Sequence, residues 1–151
     1  MQIMIRPAVA ADASAILQLN AAFEDVRATV THIAGHIENH AQFETPFVAT
    51  MDERIVGLAC LRLLPCLCDP LPYAELTELV VDPDYRRKGV GRSLVKYIER
   101  KARAQGAVRL TLMTAWQNTG AHAFYQALGY TLYTICMQRS LLDIEQSPSH
   151  R

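Results

Sequence analysis

The chain has 151 residues, half of them hydrophobic, and its 15 basic and 15 acidic side chains cancel. That length can bury one real core and is too short for two ordinary domains. The balanced charge projects no long-range field toward nucleic acid or anionic membrane, so any anion must be held by a local site.

Met1 is followed by polar and charged residues and not by the apolar core of a secretory signal. The most apolar region, Ile55 to Tyr73, is interrupted by Arg62, Pro65, Asp69, Pro70 and Pro72, which rules it out as a membrane span. Cys60, Cys66, Cys68 and Cys136 lack the density and spacing of a disulfide scaffold, as befits a reducing compartment. A soluble, cytoplasmic protein with no membrane or nucleic-acid partner is expected.

In chain order, "QIMIRPA" reads as a strand ended by Pro7. Asp12 then caps a helix with apolar positions at Ile16, Leu19, Ala22 and Phe23. A second helix is expected over Val26 to Ala41. "PFVATM" and "RIVGLACLRLL" flank the polar "MDER", the pattern of an antiparallel hairpin, and "YAELTELVVDP" is a further strand stopped at Pro83. From Gly91 to Gln105 the residues Leu94, Val95, Ile98 and Ala102 share one helical face, and Gly106 follows the end. "VRLTLMT" is a short buried strand, "NTGAHAFYQALG" a helix capped by Asn118 and stopped at Gly129, and "YTLYTICMQRSL" a last strand or pair of strands. The order β-α-α-β-β-β-α-β-α-β predicts an α+β, or mixed α/β, domain over residues 1–142 around one sheet, with a disordered tail over 143–151.

The junction "DYRRKGVGRSL" carries the first chemical signal. Arg86, Arg87 and Lys88 precede Gly89 and Gly91 where a helix opens. Such a helix presents unpaired N–H groups and a positive dipole end, and the glycines let those amides approach a phosphate or pyrophosphate. The alternative is a plain helix start beside a solvated basic corner. GxxxxGK[ST] is absent, and a dinucleotide GxGxxG would need glycine where Leu94 stands, so a nucleotide-binding protein is disfavoured.

The spacing Arg86-x-x-Gly89-x-Gly91 between a strand and an amphipathic helix resembles the coenzyme A pyrophosphate loop of the GNAT superfamily of acyl-CoA-dependent N-acetyltransferases. "NTGAHAFYQALGY", Asn118 to Tyr130, is similar to that superfamily's N-x-x-A-x-x-F-Y-x-x-x-G-F/Y segment. The resemblance extends over about Phe47 to Leu141. It implies a single domain with a central, mostly antiparallel twisted sheet whose strands splay, flanked by about four helices. It also implies acetyl-CoA as co-substrate, no metal, and transfer to a primary amine.

Residue by residue, the resemblance implies that Leu79, Val80 and Val81 leave backbone groups for the pantetheine arm. Arg86, Arg87, Lys88, Gly89, Val90 and Gly91, with Arg92 or Ser93, would face the pyrophosphate. Asn118 would contact the pantetheine side, and Tyr125 would point its hydroxyl at the sulfur as the acid; outside that motif Tyr125 would read as a core aromatic beside Phe124. A backbone N–H near Val80 or Val81 would steady the oxyanion. For the base, Glu78 comes first and Glu75 second, both on the strand leading to the site. Strand alternation puts them on opposite faces unless the strand bulges. Either could instead be a solvent-facing strand residue, or the proton could leave through a water.

Members that acetylate protein N-termini carry the base on the following strand, where this chain has Met113, which favours a small-molecule amine over a protein acceptor. The cleft is expected to draw on the first two helices, the Pro65 to Pro72 loop and the last strands. His32, His36 and His40 stack along one helical face as a metal pair, as cleft lining or as surface residues, with no Cys or HExxH context for a metal. Trp116 either covers the acceptor or packs. The competing class is a non-catalytic acyl-CoA-binding module, and exposed sheet edges leave room for a homodimer.

Overall fold

The computed structural model describes residues 2–21 and 26–142, and these belong to two compact units, Met1–Leu112 and Met113–Arg151. Ala22 and Phe23, expected on the first helix, and the tail from Asp143 lie outside the described residues.

The first unit contains strands β1 (Met4–Pro7), β2 (Thr45–Met51), β3 (Arg54–Cys66), β4 (Asp69–Val81) and β5 (Leu110–Leu112). Its helices are α1 (Ala13–Leu19), α2 (Val30–Asn39) and α3 (Val90–Ala104). The strands form one sheet in sequence order, antiparallel from β1 to β4 and parallel between β4 and β5. The mixed α/β architecture with a mostly antiparallel open sheet is the one expected.

One sheet face carries Val48, Leu58, Cys60 and Val80, which form a core with Ala8 and Ile16 and are covered by Leu19, Ile33 and Ile37 of α1 and α2. On the other face lies α3, burying Val90, Leu94, Val95, Ile98 and Ala102 along a single stripe. Each such large side chain contributes about 1.5–3 kcal/mol on burial. Gly57 of β3 lets this helix approach, because a Cβ there would sit 2.9 Å from both Val90 Cγ1 and Leu94 Cδ1.

Three local expectations are corrected. Asp12 makes no side-chain bond to α1; its carboxylate turns back to Val9 N at 2.8 Å and to both terminal nitrogens of Arg6 at 2.7 and 2.9 Å. The second helix begins at Val30, where Thr29 Oγ1 accepts from His32 N at 3.1 Å. Pro65 to Pro72 is no open loop, because β3 and β4 run through it as a hairpin closing at Cys66 opposite Asp69. A register shift between Leu64 and Cys66 absorbs Pro65, which has no N–H for the ladder.

The second unit contains α4 (Thr119–Ala127), and Tyr130 to Leu141 forms no strand. A strand exists through hydrogen bonds to a neighbour. Among its described residues this unit has no other strand to pair with.

Candidate active site

Two irregularities of β4 shape the site in the first unit. The first is a bulge: Cys60 faces Glu78 and Leu61 faces Leu76, so Thr77 is an extra residue. Paired residues share a face, which places Glu75 (opposite Arg62) and Glu78 (opposite Cys60) on the same side of the sheet. Simple alternation is overturned here, and both glutamates face the side covered by α1 and α2.

The second irregularity is the splay from β5, which pairs only with Ala74, Glu75 and Leu76. Beyond Leu76 this edge of β4 faces no strand among the described residues. Asp82 N bonds Val56 O at 2.9 Å, and antiparallel alternation then turns the peptide groups of Val80 toward β3 and those of Leu79 and Val81 toward the open edge. Of the three residues expected to offer backbone groups, Leu79 and Val81 turn theirs to the open edge, where Val81 O accepts from Arg86 Nε, while Val80 is committed to β3 and the core.

Past Val81, a turn through Pro83–Tyr85 leads into the basic loop. Arg87 (φ 63°) and Gly89 (φ 85°) both adopt left-handed backbone. Gly89 is the N-cap of α3, no side chain caps that helix, and its first internal bond runs from Ser93 N to Gly89 O at 2.9 Å. The N–H groups of Val90, Gly91 and Arg92 are therefore left without helical acceptors at the positive dipole end. A Cβ on Gly89 would meet nothing within 4 Å, so the approach is open. Arg86 Nε donates to Val81 O at 3.3 Å, and Lys88 Nζ lies 4.8 Å from the centre of the Tyr85 ring; Arg87 and Arg92 are exposed. This donor set fits the pyrophosphate of a coenzyme, with the β4 edge beside it.

Glu78 also lines a cavity of about 190 Å³ with Glu44, His36, His32 and the apolar Ile33, Ile37 and Leu58. Glu44 accepts from Thr77 Oγ1, lies 3.0 Å from His36 Nε2 and 3.6 Å from an Arg62 nitrogen, and Arg62 reaches Glu75 at 3.9 Å. His36 Nε2 is shielded from solvent and lacks hydrogen-bond alignment with Glu44, so that contact is a matter of charge and proximity. Lost hydration, then the Glu44 carboxylate, push the Glu78 carboxyl up, and His36 pulls it partly back. Because Glu78 as a residue is exposed, its desolvation is partial. Burial, followed by Glu78 and Glu44, pushes the Cys60 thiol up. His32 and His36 are thus cavity lining, and the described residues contain no group of three or more ligands able to hold a metal. Glu44 was not legible as a site residue, since it sits in a connection with no periodic pattern.

In the second unit, Asn118 Oδ1 accepts from Ala121 N at 3.0 Å and so caps α4. Tyr125 is half-buried, its ring 5.0 Å from Phe124 and 5.7 Å from Tyr130, and burial pushes its phenol up to about 12. Trp116 is exposed, with its ring 6.3 Å from that of His122.

Comparison with known proteins identifies the family. The family model described as Acetyltransferase (GNAT) family matches residues 14–130, and the chain belongs to that family. The ribosomal protein bS18-alanine N-acetyltransferase of Salmonella typhimurium strain LT2 is 33% identical over 86 residues, 57% of this chain and 54% of that protein. The aminoglycoside N(6')-acetyltransferase type 1 of Acinetobacter genomosp. 13 is 39% identical over 59 residues, 39% of this chain and 40% of that protein. The matched stretches thus span about half the length of these curated relatives, or less. A crystal structure of an aminoglycoside acetyltransferase from an uncultured soil metagenomic sample shares the fold, with a TM-score of 0.78 at 19% identity over 93% of this chain and 97% of that one. So does the ribosomal-protein-alanine N-acetyltransferase of Brucella melitensis biovar Abortus 2308, with a TM-score of 0.72 at 19% identity over 91% and 100%. Among the described residues no helix is long and apolar enough to cross a membrane.

Proposed function

We propose that the protein is an acetyl-CoA-dependent N-acetyltransferase acting on the primary amine of a small molecule, with residues 1–142 working as one catalytic domain. The observation that carries this reading is the uncapped start of α3, opened by left-handed Gly89 directly after the unpaired edge of β4. The family match runs from residue 14 to residue 130 and so takes in both the basic loop and the Asn118 to Tyr130 segment.

Acetyl-CoA supplies a thioester carbonyl for direct attack by the amine. The amides of Val90, Gly91 and Arg92 hold the pyrophosphate, with Arg87 and Arg92 adding charge, and the Leu79 backbone pairs with the pantetheine arm as an added strand would. The Val81 N–H faces the open edge and is the oxyanion donor. Glu78, its carboxyl raised toward neutrality, takes the proton that the attacking amine loses; Glu75, tied to Arg62, is the weaker base. Tyr125, whose phenol keeps its proton far above neutral pH, gives that proton to the leaving sulfur.

A protein amine is the second reading, favoured by the ribosomal-protein relatives. Against it, Met113, at the position where such enzymes carry the base, offers no proton acceptor and is 70% exposed. The test is release of free thiol from acetyl-CoA on addition of a panel of small amines and of peptides with free N-termini. Amine-dependent release supports the enzyme. Coenzyme binding without release from any amine would leave a non-catalytic acyl-CoA-binding module.

A further inference from the structure

The cavity bounded by α1, α2, β3 and β4 has two unlike ends. Its walls are mostly apolar, with Ile16, Ile33, Ile37 and Leu58 among the residues that line it and Asn20 and His32 as polar exceptions. Its polar end carries the Glu44 and Glu78 carboxylates, close enough for each other's charge to be felt. Arg62 reaches Glu44 only at 3.6 Å and is shared with Glu75 at 3.9 Å, so these two carboxylates share one guanidinium. His36 lies 3.0 Å from Glu44, its Nε2 shielded and unaligned. Like charges facing one another across partly desolvated space are stabilised by a cation placed between them.

The volume, about 190 Å³, lies below the roughly 300 Å³ at which pockets for drug-sized ligands begin. A polyhydroxylated aminocyclitol or a peptide end is larger than this volume, and inside it would find polar partners only at Asn20, the two histidines and the two carboxylates. A compact apolar body with a single ammonium group matches both ends. Glu78 belongs to the cavity wall and directly precedes Leu79, whose peptide faces the open edge of β4. An amine held at the acidic end is therefore next to the place proposed for the coenzyme.

We infer that this cavity is an acceptor pocket selective for primary amines carried on a compact apolar body, with Glu44 as the residue that fixes the ammonium group. The inference rests on the acetyltransferase reading for its chemistry but makes a binding claim of its own. Alkylamines and arylalkylamines are the substrate class.

Two measurements test it. In the thiol-release assay with acetyl-CoA, 2-phenylethylamine and hexylamine are compared with kanamycin and with a peptide beginning in alanine. At least tenfold higher kcat/KM for the apolar monoamines is expected, and preference for kanamycin or the peptide overturns the inference while leaving the acetyltransferase reading intact. In parallel, 2-phenylethylamine is titrated calorimetrically into the coenzyme A-saturated protein. Glu44→Gln should weaken its binding roughly tenfold by removing a charged hydrogen-bond acceptor. Ile33→Thr, a milder change in the apolar wall, should weaken it about fourfold. Amine binding that ignores both substitutions sinks the pocket. Binding that responds to both, without thiol release from any amine, upholds the pocket and fails the enzyme.

Discussion

Thr77, the extra residue of the β4 bulge, donates its hydroxyl proton to the carboxylate of Glu44. The bulge turns Glu75 and Glu78 onto one face, and its side chain ties that bulge to the connection between α2 and β2. Thr77→Val keeps the shape and removes the donor. The expected result is a loss of about 1–2 kcal/mol in urea denaturation together with reduced kcat/KM, since Glu44 and Glu78 lose their fixed relation. Unchanged stability and activity would mean that the bulge is held by β3 alone.

Glu78→Gln should lower kcat/KM by roughly 10²–10⁴-fold, and Glu75→Gln by much less, because Glu75 already faces Arg62. The pH dependence has a definite sign. A base must be ionised to act, and Glu78 is raised by desolvation and by Glu44, so the acid limb of kcat/KM should lie above the ordinary glutamate value of about 4.3. Glu44→Gln removes one of the raising charges and should move that limb to lower pH. A limb that stays put in Glu44→Gln, or survives in Glu78→Gln, assigns the proton transfer elsewhere.

Tyr125→Phe is expected to cut kcat by roughly 10²–10⁴-fold with coenzyme A affinity kept within about twofold, the pattern of a lost proton donor. Steady-state rates and a coenzyme titration on the same preparation decide it. Full activity in the phenylalanine variant would return Tyr125 to the role of a packing aromatic among Phe124 and Tyr130.

Gly57→Ala should cost about 1–3 kcal/mol, because the new methyl would sit 2.9 Å from Val90 and Leu94, both fully buried. Val90 is the first residue of α3, so the same substitution should displace the helix start and weaken coenzyme A binding. Denaturation midpoints and calorimetry read the two effects. A destabilised protein with unaltered coenzyme affinity would separate the packing of α3 from its anion site.

How much of this could be read from the chain varies with the kind of interaction. The face of α3 was legible because Leu94, Val95, Ile98 and Ala102 recur with the helical period, and Asn118 was legible as a cap because its side chain reaches only three residues ahead. The shared face of Glu75 and Glu78 was not, since pairing across β3 and a bond from Thr77 to Glu44, 33 residues before it, fix the bulge. Tyr130 to Leu141 carries a strand's composition without a strand, because composition reports a preference for a pleated surface and says nothing of a partner. Asp12 looked like a cap, but a neighbouring arginine at Arg6 competes for the same carboxylate.

The most direct test of the central claim is calorimetric titration of the protein with acetyl-CoA, beside ATP and NAD, repeated on Gly89→Val. Gly89 holds a left-handed backbone that a β-branched residue adopts only at a cost of about 1–2 kcal/mol, while leaving the space around it open. Selective binding of acetyl-CoA that weakens roughly tenfold in the variant is the predicted result. Equal binding of ATP or NAD, or no acetyl-CoA binding at millimolar concentration, would contradict it.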